Sequence, residues 1–215
     1  MSKKSLLYIV GAVLLVVSAL WTVYGGLFIQ ACRYREMFTV LKQLLRDDWY
    51  LSSYYYVENV GTMDWLQFAV MLIAAAVLSA KAFLKDTIPD IALVGLFGGL
   101  AFFAFINVAG QFLDLFRVEG AARNYLYWVN LLTMGLEFVA LAAMTAILFM
   151  KDKFGQFFFA PAAVIIFNNL IWFAIRVLRL FGVAPIAFGR CFLIFLVGSC
   201  YAVALFAVAM ANKEE

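Results

Sequence analysis

Residues Asp90–Phe116 read DIALVGLFGGLAFFAFINVAGQFLDLF. Between Asp90 and Asp114 this stretch carries no charged side chain. At about 1.5 Å of rise per residue, such a run coiled as a helix outspans the ~30 Å hydrocarbon core of a bilayer. Five further stretches are of the same kind: Leu6–Ile29, Asp64–Leu84, Trp128–Met150, Phe157–Phe181 and Cys191–Ala211. The whole chain of 215 residues is 67% hydrophobic and 13% charged, with a mean hydropathy of +0.99. A water-soluble domain cannot hide that much apolar surface. Lipid cannot satisfy an open backbone, so the spans are helices rather than unpaired strands. The expected fold is all-α: a polytopic membrane protein of six transmembrane helices forming a single integral membrane domain over residues 1–215.

The first span is read as a retained helix. Lys3 and Lys4 resemble a basic leader, but the apolar run is too long for a signal core and lacks a small-x-small cleavage site. Six spans put both ends of the chain on one side. That side collects Lys3, Lys4, Lys81, Lys85, Lys151, Lys153 and Lys213. The opposite side collects Arg33, Arg35, Lys42, Arg46, Arg117, Arg123 and Arg190, with Arg179 near it. Lys and Arg count alike in the positive-inside rule, so the totals do not set an orientation. The short basic N-terminal tail favours cytoplasmic termini in a plasma or inner membrane.

The long connection, Gln30–Met63, lies on the outer side in that orientation. Within it, YREMFTVLKQLLRDDW gathers Met37, Val40, Leu41, Leu44 and Leu45 on one helical face. An amphipathic outer-face helix is expected there. The aromatic run WYLSSYYYVENVGTMDW follows it. Tyr and Trp favour the headgroup level, so this run reads as an interfacial anchor, with a lid or partner surface as the alternative.

WLQFAVMLIAAAVLSAKAFLKD, from Trp65, aligns with LLTMGLEFVALAAMTAILFMKD, from Leu131. LDLFRV, from Leu113, echoes LRLFGV, from Leu178. The second and third helices, and the fourth and fifth, thus read as tandem hairpin repeats, with the first and sixth as the separated halves of a third. The alignment superposes Ala76 and Ala80 on Ala142 and Ala146, and Ala207 and Ala211 share the spacing. Small residues four apart permit close helix approach, so helices two, four and six are expected to pack tightly at the lysine-rich end.

The remaining signal is polar. Asn169, Trp172, Arg176 and Arg179 share one helix face by their spacing, as do Asn107, Gln111 and Asp114, and Asn130, Thr133 and Glu137. Asp64 and Gln67 hold the matching places in the second helix. All fall near the midplane or in the half away from the lysines. Ionisable groups inside a span are costly and usually face the bundle interior or a water-filled cavity. A polar vestibule is therefore expected, open at the outer face and closed at the inner, with Arg176 neutralising Glu137 or Asp114. Its candidate binding residues are Arg176, Glu137, Gln111, Asp114, Asn107 and Asn169. Some stripe members have plainer readings. Arg179 reaches the headgroups, Asp64 and Asn130 start helices, and Asn107 and Asn168 make interhelical hydrogen bonds.

Enzymatic chemistry is not expected. The chain has no histidine, which removes the commonest general base and metal ligand. Its three cysteines lack zinc spacing, and neither a phosphate-binding nor a dinucleotide-binding glycine loop occurs. No metal, cofactor or nucleic acid is implied. Cys32 and Cys191 end and begin spans on the same side, where a disulfide becomes feasible if helices one and six are neighbours. The expected function is non-enzymatic: a small transporter, a channel subunit or a solute-binding membrane subunit. Its expected partners are the lipid bilayer and a small polar or charged solute. The alternative is a structural or assembly subunit, working with membrane-protein partners or as a homo-oligomer, whose polar stripe is interhelical glue.

Overall fold

The computed structural model describes residues 2–33, 62–84, 88–117, 125–179 and 186–213. The described residues are helical almost throughout, with no strand among them. Six helices are long and apolar enough to cross a membrane. They are α1 (Lys3–Arg33), α2 (Thr62–Leu84), α3 (Asp90–Arg117), α4 (Tyr125–Phe149), α5 (Ala160–Arg179) and α6 (Ile186–Lys213). A short helix, Lys151–Phe154, and a 3-10 turn, Gly155–Phe157, lead into α5. Residues 34–61, and with them the amphipathic helix expected between α1 and α2, lie outside the described residues.

Prolines mark two helix starts. Pro89 precedes Asp90, and its carbonyl accepts the Ala92 N–H at 3.1 Å. Pro161 is the second residue of α5, where a missing N–H leaves no gap in the helical ladder. Asp90 also places an acid against the positive end of the α3 dipole.

Each long helix packs on its neighbours in sequence, and α6 closes onto α1. The most extensive contacts are α1 with α2, α1 with α6, and α3 with α4. The α2–α3 and α4–α5 pairs pack less extensively, so the packing does not single out the proposed tandem hairpins as units. The adjacency of α1 and α6, expected from the split hairpin, is present.

The alanine expectation needs correcting. Ala207 and Ala211 are buried, but Ala76 is exposed, and Ala80, Ala142 and Ala146 are only half-buried. Nor does α2 pack extensively on α4 or α6. Spacing by four identifies a stripe of small residues but not the neighbour it faces. The buried stripe of α2 is Met71, Ala74, Ala75, Leu78 and Ala82, set by its contact with α1. A close approach falls elsewhere, between α1 and α6. A Cβ on Gly11 would stand 2.9 Å from Val208 Cγ2 and 3.7 Å from the Ala204 carbonyl oxygen. Glycine is the residue that admits this approach.

The core is apolar: Leu15, Leu78, Leu93, Phe97, Leu100, Leu141, Met144, Leu205 and Val208 are fully buried. The outside is apolar too, with Phe83 72% and Phe116 77% exposed. A surface of this kind suits a hydrocarbon surround, and with six helices able to cross a bilayer it is compatible with an integral membrane protein.

The helix ends at the lysine-rich side are tied together. The Lys81 ammonium is held by the carboxylate of Asp90 and donates to the Ile88 carbonyl at 3.2 Å. Lys151 reaches the other Asp90 oxygen at 2.8 Å. Lys4 and Lys81 both stand about 6 Å from the Tyr8 ring centre, and the Tyr8 hydroxyl donates to Asn212 at 3.4 Å. The lysine end is thus not wholly apolar: Lys81, Tyr8 and Asn212 are buried there in a bonded cluster.

Candidate functional site

On α1 to α5 the inward stripe changes character along its length. In α4 it runs from Leu148, Met144, Leu141 and Ala140 to Glu137 and Thr133. In α3 it runs from Leu93, Phe97, Leu100 and Ala104 to Asn107. In α2 it ends at Gln67 and Asp64, in α1 at Ser18, Trp21 and Thr22, and in α5 at Asn168, Asn169, Trp172 and Arg176. Small and polar side chains fill less volume than Leu and Phe, and they seek partners other than one another. The bundle therefore opens inside, in the half away from the lysines.

Two adjoining cavities of about 310 Å³ each occupy that space. They share Trp21, Met134, Glu137, Asn168, Asn169 and Gly198 as common wall. The first extends toward Asp64, Gln67, Asn107 and Tyr201. The second extends toward Asn130, Thr133, Trp172 and Arg176. All six long helices contribute to the lining of the first. Gly198 of α6 keeps the shared wall thin: a Cβ there would stand 3.3 Å from Asn169 Oδ1.

Hydrogen bonds divide the lining into occupied and unoccupied groups. The Ser18 hydroxyl donates to the Leu14 carbonyl at 2.7 Å, Thr22 to Ser18 at 3.1 Å and Thr133 to Asn130 at 2.9 Å. These hydroxyls are satisfied by backbone of their own helices. Thr22 also reaches Met71 Sδ of α2 at 3.9 Å, and two amide bonds cross between helices among the described residues. Gln67 Nε2 donates to Glu137 Oε1 at 2.9 Å, and Asn168 Nδ2 donates to the Thr133 carbonyl at 3.1 Å. Left without a protein partner among the described residues are Asn168 Oδ1, Asn169 Nδ2 and the hydroxyl of Tyr201, a residue 8% exposed. Buried polar atoms are nearly always hydrogen-bonded, so three open valences at one site mark a place built for something other than closure.

The charges are held apart. Arg176 lies over the Trp172 ring, one turn back on α5, at 6.0 Å from its centre. Among the described residues it makes no ion pair, and the ion pairs present join Asp90 to Lys81 and Lys151. The expected neutralisation of Arg176 by Glu137 or Asp114 is thus not made. Glu137 is bonded through Oε1 to Gln67 instead, and Oε2 has no hydrogen-bond partner among the described residues.

Of the residues singled out from the sequence, Glu137, Asn107, Asn169 and Arg176 line the cavities. Gln111 and Asp114 do not line them. They lie one and two turns farther along α3, where the Gln111 carbonyl accepts the Tyr127 hydroxyl. Sequence reasoning passed over Ser18, Trp21 and Thr22 in α1, and Gly198 and Tyr201 in α6. Their spacing is a stripe signal of the same kind. Hydroxyls are common in spans because the helix backbone absorbs them, which masked it. Cys191 is a buried free thiol, and the side chain of Cys32 lies outside the described residues. Among the described residues no group of three or more His, Cys, Asp or Glu could hold a metal ion.

No family model matches the chain, and neither does any curated protein or solved structure.

Proposed function

We propose that this chain is a non-enzymatic membrane protein that binds a small polar or charged solute in the cavity of its arginine-end half. It would act as a small transporter, a channel subunit or the solute-binding subunit of a larger assembly. The observation that carries this reading is the set of open valences around one space. Asn168 Oδ1, Asn169 Nδ2 and the Tyr201 hydroxyl lack protein partners, and Arg176 and Glu137 stand in the same cavity without pairing. A bundle that needed only internal glue gains nothing from leaving these groups open, because each unmet buried polar atom costs about 1–3 kcal/mol. On this reading the lysine end faces the cytoplasm across a plasma or inner membrane, favoured by the short basic N-terminal tail, and the cavity half faces outward.

The glue reading also has an observation behind it. The Gln67–Glu137 and Asn168–Thr133 bonds join α2 to α4 and α4 to α5. Under it the protein is a structural or assembly subunit. An Arg176→Gln variant separates the two. Purified in nanodiscs, wild type should retain a small polar molecule, detected in its denatured extract by mass spectrometry. Arg176→Gln should insert normally, melt within a few degrees of wild type and lose that molecule. A variant that melts far lower, beside a wild type that retains no such molecule, would establish glue in place of binding.

A further inference from the structure

Building on the solute-binding reading, we propose that the solute is a small zwitterion, bound with its cationic group at Glu137 and its anionic group at Arg176. Both residues line the second cavity, of about 310 Å³. Opposite charges sharing a low-dielectric space attract strongly, and a flexible pair would close. Here each is anchored away from the other. Gln67 of α2 holds Glu137 by Oε1 at 2.9 Å, and the Trp172 ring lies under Arg176. The two poles therefore line one cavity without an ion pair between them.

The chemistry of that space selects among solutes by charge balance. A simple anion would satisfy the guanidinium but face the open Oε2 of Glu137. A simple cation would satisfy Glu137 and face Arg176. A neutral solute would leave both charges desolvated and unmet. A molecule with an ammonium at one end and a carboxylate at the other meets both. The guanidinium offers a planar fork suited to two carboxylate oxygens. The other open groups of this cavity are of both kinds: Asn169 Nδ2 donates and Asn168 Oδ1 accepts, and the Tyr201 hydroxyl of the adjoining cavity does either. The cavity volume lies at the small end of the ligand-pocket range, which suits a compact solute rather than a peptide or a lipid.

The test uses full-length wild type in nanodiscs and a series in which charge separation grows: glycine, β-alanine, γ-aminobutyrate and 5-aminopentanoate. Butyrate, butylamine and butanamide serve as singly charged and neutral controls. Binding is read as a saturable rise in melting temperature. The expected result is that at least one zwitterion binds at least tenfold more tightly than every control. Glu137→Gln and Arg176→Gln should each weaken that binding tenfold or more. They should also shift preference in opposite senses, the first toward butyrate and the second toward butylamine. Equal binding of butyrate, or of butylamine, would overturn the zwitterion proposal while leaving a solute site in place. No saturable binding by any of the zwitterions to folded wild type would also overturn it. The solute-binding reading would then rest on its own test, the molecule retained through purification.

Discussion

Lys81 sits one turn from the end of α2 with its ammonium between the Asp90 carboxylate and the Ile88 carbonyl, and it is 8% exposed. From the sequence it is one lysine among seven at that end, with nothing to distinguish it from those that reach the headgroups. The structure makes it the buried half of a network, and the two halves should respond differently to removal. Asp90→Asn leaves Lys81 buried without an anionic partner, beside the Ile88 carbonyl, the Tyr8 ring and a neutral amide. We expect it to cost about 2–3 kcal/mol, below the ~3–5 kcal/mol of a fully buried pair because the Asp90 side chain is 40% exposed. Lys81→Met removes the buried charge itself, fills similar volume and leaves Asp90 with Lys151. Its cost should be about 1 kcal/mol or less. Thermal or SDS denaturation of the two variants checks the order, and equal losses would show that the pair acts as one symmetric unit. Glu137 illustrates the opposite case. Its depth in the span was legible, and so was its place on a polar face. Its partner was not, because Gln67 belongs to another helix and nothing in the spacing of one helix names a residue on the next.

Among the elements, α1 and α6 approach closely at Gly11. Gly11 permits it, and Tyr8, Ala12, Leu15 and Ala19 continue the same buried stripe. A leucine at Gly11 has no room: its first side-chain carbon alone would fall 2.9 Å from Val208 Cγ2. Gly11→Leu should therefore destabilise the bundle by about 1–3 kcal/mol, read as a lower melting temperature in nanodiscs. Gly95, where a Cβ would meet nothing within 4 Å, is the control and should tolerate alanine. The helices themselves were legible, because each is a long apolar run with few or no charges. The repeat-derived alanine contacts failed because periodicity fixes an angular stripe and leaves its partner open. The apolar-to-polar change along the stripes of α1 to α5 could be read helix by helix. That those ends and α6 surround one space could not.

At the scale of the whole molecule, apolar side chains cover both the inside and the outside, and position rather than hydrophobicity separates structural residues from lipid-facing ones. Phe97 is fully buried and Phe83 is 72% exposed, though both lie on apolar helices near the lysine end. Phe97→Ala should cost about 3–5 kcal/mol through the cavity it leaves. Phe83→Ala should stay within about 0.5 kcal/mol, as for surface substitutions generally. Denaturation of both variants in the same lipid checks the contrast, and a large loss at Phe83 would mark that face as a protein contact. By itself the sequence determined six helices long and apolar enough to cross a membrane, and a polar stripe within them in the half away from the lysines. Those follow from the length and charge of each segment against a solvent that cannot hydrogen-bond, so no knowledge of neighbours is needed. Only the tertiary structure decided that Glu137 bonds Gln67, that Arg176 stands apart over Trp172, that Gln111 and Asp114 lie beyond the cavity, and that α1 and α6 close the bundle through Gly11. These depend on how each helix is rotated and shifted against the next. In lipid, where every apolar face is equally well solvated, that is set by the fit of specific side chains and not by hydrophobic pattern.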